Sequence, residues 1–149
     1  MTHLKLAPGA WVVVGDGQKA LFLTNEGDEK FPNLRRLSVE LHDDPPTREQ
    51  GSDAPGRAYS SVGSGRSAVE ETDWHEVEKE RFAASIAERI NKGAQSAAFN
   101  QLVVVAPPKI LGDLRREFTK ETGTKILAEI PKDLTHHTIA EIERLLTAE

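Results

Sequence analysis

Between His42 and Asp73 the chain runs for 32 residues, HDDPPTREQGSDAPGRAYSSVGSGRSAVEETD, with almost nothing that could build a core. Gly, Pro, Ser, Asp and Arg dominate the stretch, and its few apolar residues fall at no regular period. Irregular segments of this length are uncommon inside compact domains and are usually functional or disordered. Any core must therefore come from the 41 residues before the stretch and the 76 after it. The question of function becomes largely a question about this loop.

The first flank reads as a three-stranded antiparallel meander. Trp11–Val14 is a short β-branched run, followed by Gly15-Asp16-Gly17 and then Lys19–Leu23. An Asp-Gly step between two such runs is a strong hairpin signal. Asn25-Glu26-Gly27-Asp28 marks the next turn. Leu34–Leu41 then alternates, with Leu37, Val39 and Leu41 on one face and Arg36, Ser38 and Glu40 on the other, the period of a strand with one wet face.

The second flank alternates helix and strand. Asp73 with Glu76 three residues on has the spacing of a capping box, which predicts a helix over 73–92. Phe82, Ala83, Ile86, Ala87 and Ile90 give it one apolar stripe, and Gly93 suits the position just past its end. Leu102–Val105 is a continuous apolar strand of the kind buried on both faces. Pro107-Pro108 opens a second helix, with Ile110, Leu111, Leu114 and Phe118 on one face and its end near Gly123. Ile126–Ile130 is a fifth strand. Thr135 or Thr138 caps a last helix carrying Ile139, Ile142, Leu145 and Leu146. The order βββ–loop–αβαβα implies an α/β fold, a mixed five-stranded sheet with helices packed on it.

The 149 residues fit a single domain over 1–149, with the polar loop at 42–73. The chain has no cysteine, which excludes disulfides and thiolate-held metals. The first residues lack the pattern of a secretory signal, and no apolar run approaches the ~20 residues of a membrane span. A cytoplasmic protein without a membrane partner is expected. The net charge of −5 argues against a dedicated duplex-DNA binder, and 5% aromatic residues argue against a stacking platform for single strands.

Within the loop, Gly51–Ala68 carries Arg57 and Arg66 among Gly56, Gly63, Gly65 and the hydroxyls of Ser60, Ser61, Ser64 and Ser67. Glycine allows close backbone approach, amides and hydroxyls bind phosphate oxygens, and arginine grips phosphate in a fork. The plain alternative is a solvated loop whose arginines pair with Asp43, Asp44, Asp53 or Glu70. Seven acids against three arginines over His42–Asp73 favour that alternative electrostatically. Length and composition still point to a function-bearing contact. Gly63-Ser64-Gly65-Arg66-Ser67 lacks the Gly-Lys-Ser/Thr ending of a P-loop. His75-Glu76 is followed by Lys79 where a zincin needs its second His. His136 and His137 are neighbours at a helix start, where a polar end role outweighs metal binding. Asp16, Asp73 and Glu76 would have to converge to hold Mg²⁺ for phosphodiester cleavage, and each has a sufficient structural reason as turn or cap. No nucleophile has a recognisable partner. No catalytic residue, metal site or cofactor is expected.

Several segments in order, Trp11-Val-Val-Val-Gly-Asp-Gly17 with Lys19-Ala-Leu-Phe22, Gly51-Ser-Asp-Ala-Pro-Gly-Arg57, Gly63-Ser-Gly-Arg-Ser-Ala-Val-Glu70, His75-Glu76 with Phe82-Ala83, Leu102-Val-Val-Val-Ala-Pro-Pro108 with Leu111-Gly112, and Lys132-Asp-Leu-Thr135, resemble the bacterial host-attachment protein family. The resemblance covers almost the whole chain. That family is in turn similar to the middle domain of archaeal and eukaryotic class-1 translation release factors, a ribonuclease-H-like α/β fold. In those factors a Gly-Gly-Gln-Ser-Ala tip, on the long loop before the first helix, enters the ribosomal peptidyl-transferase centre and supports peptidyl-tRNA hydrolysis. Aligned on Ser67-Ala68, this chain has Ser64, Gly65 and Arg66 where the tip has Gly, Gly and Gln. Arg66 cannot reproduce the Gln contacts, and Ser64 lacks glycine's backbone freedom.

The resemblance therefore implies the placement of the loop and contact with a ribosome or other structured RNA, without release catalysis. Lacking any segment for codon reading or for recruiting a partner factor, the chain is not expected to be a complete release factor. The leading expectation is a non-enzymatic binding module in which Arg57 and Arg66 contact phosphate, Gly63 and Gly65 permit close approach, and Ser67 supplies a hydroxyl. A protein-interaction factor supporting attachment to host cells from inside the cell is the first alternative. A metal-dependent nuclease or hydrolase is the second. The strand at Leu34–Leu41 could pair across a dimer, and the sequence leaves the oligomeric state open.

Overall fold

The structure, a computed structural model, describes residues 4–41 and 68–147, with side chains in the second segment from Val77 onward. The elements are β1 (Trp11–Gly15), β2 (Lys19–Asn25), β3 (Leu34–Leu41), α1 (Ala68–Gln95), β4 (Leu102–Val105), α2 (Pro108–Glu117), α3 (Lys120–Lys125), β5 (Ile126–Ile130) and α4 (Ile139–Thr147). The sheet order is β3-β2-β1-β4-β5. β1–β2 and β2–β3 pair antiparallel, whereas β1–β4 and β4–β5 pair parallel. This is the mixed five-stranded α/β sheet that the residue pattern predicts.

Alternation along the strands sorts the core into two layers. Val13, Ala20, Phe22, Leu102 and Val104 pack with Phe82, Ile86 and Ile90 of α1 and Ile110 and Leu114 of α2. On the opposite face Val12, Val14, Leu23, Val103 and Val105 pack with Leu6, Ile142 and Leu146. The central strands β1 and β4 are thus covered on both sides, which is why their sequences read as unbroken apolar runs.

Four expectations are corrected by the structure. α1 begins at Ala68, so Asp73 and Glu76 lie inside the helix and do not cap it. No Pro or Gly interrupts 68–92, and Ser67-Ala68-Val69-Glu70 repeats the same cap-like spacing six residues earlier. The segment between β3 and α1 is accordingly 42–67. At the other end Gly93 is helical, and a β-carbon there would lie 2.9 Å from ring atoms of both Trp11 and Phe99. It is a packing glycine and not a terminator. The turn out of α1 falls instead on Ala97, at φ 59°.

The predicted second helix is two. Phe118 is extended, and Thr119 caps α3 by accepting from the amide of Thr122 at 3.2 Å. Asn91 on α1 holds this corner, its Oδ1 accepting from the Thr119 amide at 3.0 Å and the Thr122 hydroxyl at 2.6 Å. Finally, the β3 register shifts opposite Phe22 and Leu23, pushing Leu37 out of the alternation. Leu34 is buried, but Leu37 and Leu41 are 46% and 65% exposed. β3 is an edge strand, and the nine-residue α4 meets it at its first residue, where the Leu34 amide donates to Glu143 at 2.8 Å. No helix among the described residues is long and apolar enough to cross a membrane.

Candidate functional site

Because β1, β4 and β5 run parallel, their carboxyl ends share one end of the sheet. Open α/β sheets place ligands outside that end. Asp16 sits there, in the β1–β2 hairpin. Its Oδ1 accepts from the amides of Gln18 at 2.7 Å and Lys19 at 2.8 Å, while its own amide donates to the Lys19 carbonyl at 2.9 Å. The turn role expected from the sequence is real, and one carboxylate oxygen remains for other work.

That oxygen, Oδ2, accepts from the hydroxyl of Thr135 at 3.1 Å, across 119 residues of sequence. Thr135 is 3% exposed. The same hydroxyl lies 2.6 Å from Oδ1 of Asp133, which also accepts from the Thr135 amide at 3.0 Å. A hydroxyl carries one proton, so it can donate to only one of the two carboxylates at a time. Partial burial raises the Asp133 pKa, but the two hydrogen bonds from Thr135 and the charges of His136 and Lys19 outweigh it, holding the carboxyl below its ordinary value.

His136 completes the group: one donor atom from each of Asp16, Asp133 and His136 lies within 4.8 Å of the others. Two carboxylate oxygens and an imidazole nitrogen suit a small divalent cation. The sequence alone groups Asp16 with Asp73 and Glu76 and sets the histidines aside from metal. The structure brings Asp16 to Asp133 and His136. The side chains of Asp73, His75 and Glu76 lie outside the described residues. His137 points elsewhere, its Nδ1 3.5 Å from Glu141. Thr138, not Thr135, caps α4: its hydroxyl accepts from the Glu141 amide at 3.1 Å, and Glu141 accepts from the Thr138 amide at 2.9 Å. Sequence reasoning misses Asp133 and Thr135 as partners of Asp16. The available signal is the polar Lys132–Thr135 turn directly after the β5 strand.

Arg57, Gly63, Gly65, Arg66 and Ser67, the binding residues expected from the sequence, lie outside the described residues. The structure does fix where their segment leaves and returns. It leaves at Leu41, which pairs with Lys19 beside the hairpin. It returns at Ala68, the first residue of α1. Gly93 of α1 lies against Trp11 at the start of β1, and Lys79 lies over Gly17 just past the end of β1. α1 therefore runs antiparallel to β1, and eleven residues of helix precede Lys79, a rise of about 16 Å. Both anchor points of 42–67 belong to the end of the sheet that holds Asp16 and Asp133. On the strand side the anchor is held by an ion pair between Arg89 and Glu40, with the Arg89 guanidinium 4.5 Å over the Phe22 ring.

Residues 9–146 match the model of bacterial archaeo-eukaryotic release factor family 12. An uncharacterized protein of Rickettsia prowazekii (strain Madrid E) is 32% identical over 121 residues, spanning 76% of this chain and 75% of the relative. The match bears out the release-factor side of the sequence resemblance and carries nothing about host attachment. With nearly the whole chain matched and its fold a mixed α/β sheet, the protein belongs to the bacterial archaeo-eukaryotic release factor family 12.

Proposed function

We propose that this protein is a non-enzymatic binding module that contacts the ribosome or another structured RNA through the segment 42–67. The observation that carries this reading is the position of the segment in a release-factor-like chain. It lies between β3 and the first helix, where the resemblance implies the tip that enters the peptidyl-transferase centre. Arg57 and Arg66 supply phosphate contacts, Gly63 and Gly65 let the backbone approach closely, and Ser67 adds a hydroxyl. With Arg66 in the place of the tip Gln, binding is uncoupled from release. A planar, permanently charged guanidinium cannot offer the amide's paired donor and acceptor to a water and a carbonyl.

The test is a release assay on ribosomes carrying labelled peptidyl-tRNA. The protein should migrate with the ribosomes and liberate no labelled peptide. Peptide release would make it a catalyst, and absence from the ribosomal fraction would remove the ribosome from the reading. Salt-insensitive capture of a protein partner without RNA would instead favour a protein-interaction factor, the form in which a role in host attachment fits this chain.

The grouping of Asp16, Asp133 and His136 favours one other reading, a metal-dependent phosphodiester hydrolase. Its signature is Mn²⁺- or Mg²⁺-dependent RNA cleavage that Asp133→Asn abolishes while the melting temperature holds.

A further inference from the structure

Phe31 is the most exposed large apolar residue among those described, at 70%, and it belongs to neither core layer. Isolated apolar residues on a surface are ordinary, but this one stands on a turn that side chains hold in place. Asn25, 1% exposed, donates through Nδ2 to the Leu6 carbonyl at 2.9 Å. Its Oδ1 accepts from the amides of Gly27 at 2.9 Å and Asn33 at 2.8 Å. Asp28 Oδ1 accepts from the amides of Lys30 at 3.0 Å and Phe31 at 2.7 Å, and the Asp28 amide donates to the Phe31 carbonyl at 3.1 Å. Gly27 lets the chain close this tightly, because a β-carbon there would collide with the Phe31 carbonyl. Pro32 restricts the backbone directly after the ring. Lys30 Nζ lies over the ring, 5.7 Å from its centroid. The pairing of Trp11 with Thr24 puts this turn at the end of the sheet where β1 begins, opposite the end that holds Asp16 and the anchor points of 42–67.

We propose that Phe31 is a preset anchor for a protein of the ribosome, one that offers an apolar pocket for a single phenyl ring. The inference rests on the ribosome reading above and adds to it a contact at the far end of the molecule. A ring on an already ordered turn avoids most of the entropy cost of fixing a loop on binding. Aromatic side chains seated in apolar pockets supply much of the energy of protein interfaces. The neighbouring surface favours protein over RNA. A concavity beside the turn is lined by Glu26, Asn33, Arg35, Arg36, Ile139 and Glu143. Its carboxylates offset its guanidiniums, so it has no excess of cations to grip a phosphate backbone. The turn itself places Asp28 and Glu29 against the single cation Lys30. A rim of both signs around an exposed ring matches the anatomy of a protein interface, with its apolar centre and polar edge.

The experiment measures binding of the full chain to purified ribosomes at low salt and maps the contact with a photoreactive benzoyl-phenylalanine in place of Phe31. Phe31→Ala should weaken binding about 30-fold, and Phe31→Leu, which keeps an apolar side chain, should lose less. A ring this exposed can be removed without opening the core, so both variants should keep the wild-type melting temperature. Asp28→Ala keeps the ring and removes the bonds to the Lys30 and Phe31 amides, and it should weaken binding by an intermediate factor. The cross-link from position 31 should fall on a ribosomal protein. Unchanged affinity in Phe31→Ala would overturn the anchor and leave the arm reading standing. Cross-linking to ribosomal RNA would overturn the protein partner and make the ring a stacking surface for a base. A wild-type dimer that Phe31→Ala dissolves would assign the ring to a second copy of the chain instead. Failure of the wild type to bind ribosomes would remove the ribosome reading and the anchor with it.

Discussion

Single residues in this protein are decided by contacts far away in sequence. Gly93 illustrates the point. By propensity a glycine inside a helix is worse than alanine by about 1 kcal/mol, so Gly93→Ala should stabilise α1. The packing says otherwise, because the new carbon would meet Trp11 and Phe99 rings, themselves 4.6 Å apart between centroids, at 2.9 Å each. Overpacking of this kind costs about 1–3 kcal/mol. Gly93→Ala is expected to lower stability, by up to about 2 kcal/mol, in denaturant titration, and a gain would show that the rings yield freely. The same lesson covers the candidate site. Asp16 is legible as a turn residue from its own neighbours, Gly15 and Gly17. Its bond to Thr135 is not, since nothing local couples the β1 and β5 loops until the parallel strands bring their ends together.

At the scale of elements, strands are legible in the sequence and helix ends much less so. β1 and β4 carry unbroken valine runs because both their faces are buried, and such runs survive any error in neighbouring elements. Helix ends depend on which of several capping signals wins. Asp73-x-x-Glu76 does not start α1, whereas Thr138-x-x-Glu141 holds α4 with both reciprocal bonds. That box makes α4 pH-dependent. The Glu141 carboxyl is lowered from 4.5, chiefly by the Thr138 amide, against a smaller desolvation effect and with help from His137. A depressed carboxylate stabilises the fold above its unfolded pKa and loses that contribution as pH falls through the folded one. NMR titration of Glu141 should give a midpoint below 4.5, and Thr138→Ala, which keeps the backbone amide, should leave it below 4.5 while destabilising the protein by about 1 kcal/mol through the lost hydroxyl cap. A Glu141 midpoint at or above 4.5 in the wild-type protein would contradict the capping geometry. β3 shows the opposite limit, where a register shift places Leu37 outside an alternation that its sequence suggests.

For the whole molecule, the element order is legible because the two flanks have different hydrophobic periods, two before the loop and 3.6 after it. The consequence for function lies in the topology. With β1, β4 and β5 parallel, one end of the sheet gathers Asp16, Asp133 and His136, together with both anchor points of the segment 42–67. Membership in bacterial archaeo-eukaryotic release factor family 12 is the ground on which that end is proposed to meet the ribosome. The most direct measurement sediments purified protein with ribosomes through sucrose at low and moderate salt, comparing wild type with Arg57→Ala/Arg66→Ala. Wild type should travel with ribosomes at low salt and fall away as salt rises, and the variant should be markedly depleted from the ribosomal fraction at low salt. Wild type remaining at the top of the gradient at both salts would contradict the account.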